Sequence, residues 1–92
     1  MFRPVKVNGV GGVYSLTKTS TNYYFHLSFP HKEDEKIIVL SKIGKSIRIV
    51  SKGEKDGKTY VIVEMRMLLF RNEKSALEYL KDALIVSKQC LR

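Results

Sequence analysis

KTYVIVEMRMLLF, residues 58–70, is the longest apolar run in the chain, and the rest of the architecture can be built out from it. At period two, Val61, Val63, Met65, Met67 and Leu69 share one face; Tyr60, Ile62, Glu64, Arg66, Leu68 and Phe70 share the other. The first face is wholly apolar and predicts a core strand. The second mixes an aromatic ring, an acid, a base and several apolar side chains, a composition unsuited to a face made only for water. A strand over 58–70 would span about 43 Å at the usual rise. That is long for so small a domain, so a bend or bulge is expected near Arg66.

Working backward, KGEKDG (52–57) reads as a hydrophilic hairpin loop with a tight Asp56-Gly57 turn. Residues 46–51 read as a strand with Ile47 and Ile49 inward and Arg48 outward. Lys36 to Ser41 is a β-branched, apolar strand expected to be covered on both sides, or partly by an oligomeric partner, with a turn at Ile43-Gly44-Lys45. Tyr23, Phe25, Leu27 and Phe29 form the large face of a strand that Pro30 should stop, opposite Tyr24, His26 and Ser28. Residues 13–18 form another strand, and Pro4 to Val7 a short first one. Asn8-Gly9 is a hairpin-turn dipeptide, and Gly11-Gly12 suggests further positive-φ freedom.

Working forward, Asn72 can cap a helix, with Glu73 favourably placed in its first turn. Ala76, Leu77, Leu80, Ala83, Leu84, Ser87 and Leu91 follow at helical spacing, and Tyr79, Val86 and Cys90 form a second stripe. A Lys74–Glu78 pair is four residues apart and can support the helix. The expectation is one α+β domain over 1–92. Four to six antiparallel strands (about 4–70) are followed by one long C-terminal helix (about 73–90) packed on the sheet. An apolar surface that wide on a helix calls for cover from a second copy. A homodimer is expected through the C-terminal helix and the Leu68/Phe70 end of the long strand.

Seventeen Lys and Arg against nine Asp and Glu give a formal charge of +8, more than solubility asks of a small domain. The excess is segregated. Residues 1–32 and 36–52 contain no acid, while the acids gather in Glu33-Asp34-Glu35, at Glu54 and Asp56, at Glu64 and along the helix. A polyanionic partner follows, nucleic acid before an acidic protein or a membrane surface. A single cysteine, Cys90, excludes an intrachain disulfide and a cysteine-rich zinc site; its neighbours suggest a packed thiol. No secretory leader and no run of about 18 apolar residues is visible. The expected location is cytoplasmic, including association with the nucleoid.

Tyr14, Tyr24 and Tyr60 are assigned to faces opposite the apolar stripes, with His26 beside Tyr24. Rings among basic side chains suit single-stranded nucleic acid, since bases stack on them and cations follow the backbone; the same rings also suit a dimer contact. Candidate binding residues are Tyr24, His26, Lys42, Lys45, Arg48, Lys52, Tyr60 and Arg66. No basic recognition helix is present to favour duplex DNA. The predicted function is a non-enzymatic, single-strand-preferring nucleic-acid binder that needs no cofactor. The alternatives are a module binding an acidic protein partner and a small ribonuclease using His26 with Glu64, Arg48 or Arg66. A metal site would have to combine His26 and His31 with Glu33, Asp34 or Glu35. Over roughly residues 22–91, strands followed by one long helix, the arrangement resembles Pur-repeat and Whirly-type single-strand binders. Their diagnostic motifs do not stand in the sequence, so no residue roles follow from the resemblance.

Overall fold

The computed structural model describes residues 1–43, 47–55, 58–69 and 71–91. Its main sheet has five antiparallel strands: β1 (Arg3–Val7), β2 (Val10–Lys18), β3 (Asn22–His31), β5 (Ile47–Lys55) and β6 (Lys58–Leu68). They lie in the order β1-β2-β3-β6-β5. β4 (Glu35–Ser41) leaves this sheet and pairs with β7 (Leu84–Cys90) in a separate two-stranded ribbon. The helix α1 (Glu73–Ala83) stands between β6 and β7 in the chain.

The turn between β1 and β2 has the chemistry its sequence promised. Asn8 at φ 52° and Gly9 at φ 83° both take the left-handed region, as a two-residue hairpin turn with the twist of its strands requires. Gly11 and Gly12, by contrast, are strand residues. Gly12 is needed for room: a Cβ there would stand 2.5 Å from the Ser28 carbonyl oxygen and 2.8 Å from the Phe29 ring. Pro30 does not end β3, which continues to His31. Ser28 holds the last β2–β3 pair, so beyond it Pro30 has no β2 partner that would miss an N–H.

One side of the main sheet carries the core. Phe25, Leu27 and Phe29 of β3 and Val63 and Met65 of β6 are fully buried, with Tyr23, Val61 and Met67 nearly so. Ala76, Leu80 and Ala83 of α1 and Ile37, Leu84 and Val86 of the ribbon close over them in one cluster. The layers are therefore a sheet, and a helix plus ribbon against its inner face. The alternation expected for 58–70 holds from Val61 to Leu68, where β6 ends, and β6 pairs with β3 without a break from Thr59 to Leu68. No bulge occurs at Arg66. The irregularity lies on β5, between Ile49 and Ser51.

The C-terminal helix is the main correction. It is capped by the Asn72 side chain, which accepts a 2.8 Å bond from the Ser75 N–H, but it ends at Ala83. Leu84 turns extended (φ −105°, ψ 142°), and residues 84–90 form a strand that pairs β4 from Glu35↔Cys90 to Ser41↔Leu84. Bonds from the Lys42 N–H to the Ala83 oxygen (2.9 Å) and from the Leu91 N–H to the Asp34 oxygen (2.7 Å) extend the ladder at both ends. Val86 is thus a buried strand residue and Cys90 an exposed thiol, neither part of a helical stripe. The arrangement that resembled Pur-repeat and Whirly-type proteins rested on a long terminal helix, which the chain does not have. β4 is covered on one side only, since Ile37 is buried while Leu40 is exposed. Glu78 pairs with Lys81 at 3.8 Å, not with Lys74.

Candidate nucleic-acid interface

Helix and ribbon cover only the inner face, so the outer face of the main sheet is left open. Its side chains form rows across the strands, because residues opposite each other in an antiparallel pair point to the same side. One row runs Ser15, His26, Glu64, Arg48 across β2, β3, β6 and β5. His26 Nε2 lies 2.8 Å from Glu64 Oε2. Arg48 holds the other oxygen, Oε1, through Nε at 3.1 Å and Nη2 at 3.0 Å. Register alone sets this cluster: three strands each contribute one outward position at the same level.

Glu64 is its hub. The hydrogen bond from His26, reinforced by the charge and hydrogen bond of Arg48, holds the Glu64 carboxyl below its usual range, against an opposing desolvation effect. Its side chain is 22% exposed and that of Arg48 73%, so the guanidinium keeps donors facing solvent. Nε2 of His26 is committed to the carboxylate. Nδ1 makes no protein hydrogen bond among the described residues. The next row is Thr17, Tyr24, Arg66, with Tyr24 half-buried and Arg66 exposed.

On the other side of the histidine row lies an open groove of about 600 Å³. Val13, Ile62, Tyr60 and Phe2 supply apolar surface, Ser15, Ser28 and His26 supply polar edges, and the exposed Glu54 adds a carboxylate. Phe2 precedes β1 and is 65% exposed. Periodicity could not have pointed to it, since it belongs to no patterned segment. The groove itself was half visible as the odd composition of the second face of 58–70.

The structure thus brings Tyr24, His26, Arg48, Tyr60 and Arg66 to one surface. Lys42 is not there: it adjoins Ile43, Tyr79, Asp82 and Ala83, on the helix and ribbon side. Lys45 lies outside the described residues. Lys52 stands opposite Val61 in the register, beyond the irregularity between Ile49 and Ser51. Tyr14, expected on the open side, is buried in the core with its ring centroid 6.0 Å from that of Phe25. Among the described residues no three His, Cys, Asp or Glu side chains are placed to hold a metal ion. His31 meets the Lys32 carbonyl oxygen and Glu35 the Lys32 N–H. Also among the described residues, no helix is long and apolar enough to cross a membrane. No protein family, no curated protein and no solved structure matches the chain.

Proposed function

We propose that the protein is a non-enzymatic nucleic-acid binder that takes single strands on the open face of its five-stranded sheet. The carrying observation is that Tyr24, Tyr60, Arg48 and Arg66 converge on the one face that the helix and ribbon leave uncovered. Rings supply stacking surface and exposed cations neutralise phosphates. The +8 charge supplies the long-range attraction. A cytoplasmic or nucleoid-associated location belongs to the same proposal.

The test is fluorescence anisotropy with labelled single- and double-stranded DNA and RNA over a salt titration. Affinity should favour single strands and fall steeply with salt through counterion release. Equal binding at 50 mM and 500 mM salt, or none, would end this reading. Arg48→Ala should weaken binding and leave the fold intact, whereas Met65→Ala, at a fully buried site, should lose about 2–5 kcal/mol of stability.

Homodimerisation at the Leu68 end of β6 is part of the proposal, since Leu68 is 72% exposed. Phe70 lies outside the described residues, and the helix buries Ala76, Leu80 and Ala83 within its own protomer. Leu68→Glu should then shift sedimentation toward the monomer. A monomeric native chain at micromolar concentration would remove this part.

An acidic protein partner is the second reading: Leu40 and Ile85, exposed and paired with each other on the ribbon's outer side, favour a protein contact, and the +8 charge favours an acidic one. Capture of one protein that survives nuclease and is lost in Leu40→Glu would favour it. The ribonuclease alternative draws on the His26–Glu64–Arg48 contact. Intact RNA after prolonged incubation would exclude it.

A further inference from the structure

We infer that the groove bounded by Phe2 and Tyr60 receives one unpaired nucleobase of the bound strand. This rests on the proposal that the open face binds a polyanion, and it names what the apolar part of that face is for. A face built only to attract phosphates would need cations and water between them. Instead Val13, Ile62, Tyr60 and Phe2 line a depression of about 600 Å³ beside the Arg48 row, a volume within the roughly 300–1,000 Å³ typical of small-ligand sites.

The lining selects the guest. Two aromatic rings and two aliphatic side chains offer contact to a flat apolar surface. Ser15, Ser28 and His26 offer donors and acceptors to a polar edge. An aliphatic guest would strip water from these polar groups and return no hydrogen bond, which is costly. A nucleobase matches both features, with π-faces above and below and a donor–acceptor rim. With His26 Nε2 held by Glu64, Nδ1 is the ring's remaining polar atom. The lining also holds Glu54, exposed on β5, so the attraction for the strand comes from the neighbouring Arg48 row and not from the groove itself. Arg48 follows His26 and Glu64 in the row and is largely exposed, so a strand that places a base in the groove can lay a phosphate against the guanidinium. A paired base has its rim occupied and its faces stacked, so the groove favours single strands.

The experiment compares an oligothymidylate with a strand of equal length and charge carrying abasic sites, against the native chain, Phe2→Ala and Tyr60→Leu. Phe2 is exposed, so its removal should not disturb the fold. Tyr60→Leu keeps apolar bulk and removes the ring with its hydroxyl. With the native chain, the abasic strand should bind roughly 5- to 150-fold more weakly, the loss expected for one stacked base. Each variant should lose a comparable factor on the oligothymidylate and little on the abasic strand. The salt dependence should stay unchanged, because the phosphate contacts are the same. If native protein binds both strands equally, or both variants bind the oligothymidylate as native does, the groove does not hold a base, although the face still binds the strand. If a neutral aromatic dye binds the groove in a Phe2-dependent manner while oligothymidylate affinity ignores Phe2, the site takes a small apolar molecule. Failure of every strand to bind at low salt would instead overturn the polyanion reading on which this inference rests.

Discussion

A methyl group at Gly12 would press on a backbone oxygen at 2.5 Å and on the buried ring of Phe29. Neither is the yielding end of a flexible side chain, so Gly12→Ala should destabilise by about 1–3 kcal/mol. Chemical denaturation checks this, with Gly11→Ala as the control, because nothing stands within 4 Å of a Cβ there. Glu64 is the other residue whose chemistry can be isolated. Its carboxyl is lowered first by the His26 hydrogen bond and then by Arg48; that of Glu35 is lowered first by the Lys32 N–H and then by Lys88. A carboxyl with a depressed folded pKa binds fewer protons folded than unfolded. Its contribution to stability is whole above the unfolded value, about 4.3 for glutamate, and is lost as pH falls through the folded one. Glu64→Gln should therefore flatten the acid limb of the stability–pH curve. It should also tighten oligonucleotide binding roughly two- to fivefold, the scale of one exposed charge pair, by removing a negative charge from the open face. Weaker binding would mean that Glu64 serves chiefly to position Arg48.

At the scale of elements, β6 was legible because its residues obey one period without competition. Val61, Val63, Met65 and Met67 are buried as the alternation requires. β7 was not legible, because Leu80, Ala83, Leu84 and Ser87 satisfy helical spacing while Leu84 and Val86 also satisfy period two. A seven-residue strand that follows the helix directly has no local signal of its own; what decides is a partner distant in sequence, β4. The register of Lys52 escaped for a related reason, since a one-residue irregularity shifts the pairing and leaves no mark in composition. The ribbon is held to the main sheet by its buried Ile37, Leu84 and Val86 and by a polar tie from Asn8, whose Oδ1 accepts a 2.6 Å bond from the Val86 N–H while its backbone makes the β1–β2 turn. Asn8→Gly keeps the turn and removes only that tie. It should lose about 1 kcal/mol of stability and speed amide exchange at Val86 above that at Phe25. Uniform exchange across both sheets would show that the ribbon does not open separately.

Across the whole molecule, both layers carry cations, but in different company. The helix exposes Glu78 and Asp82 beside Lys74 and the ribbon exposes Lys36 and Lys88, while the open face exposes Lys6, Arg48 and Arg66 with Glu54 and the half-buried Glu64. This was readable in part, because the main-sheet strands fall largely in runs without acids. Arg48 and Arg66 were readable as outward positions of their strands, whereas the absence of Lys42 from the face was not, since it depends on where β4 goes. The distinction gives the proposal a quantitative form. For a single strand, each neutralised phosphate contributes about 0.7 to the slope of log affinity against log salt. Arg48→Ala and Arg66→Ala should each reduce that slope by about this amount and weaken binding to all sequences alike. Lys42→Ala, which removes the same charge from the other layer, should lower affinity only through weak long-range attraction and leave the slope nearly unchanged. Measured by anisotropy between 50 and 300 mM salt, equal slope changes for all three would mean that net charge alone drives association. The open face would then not be the binding surface.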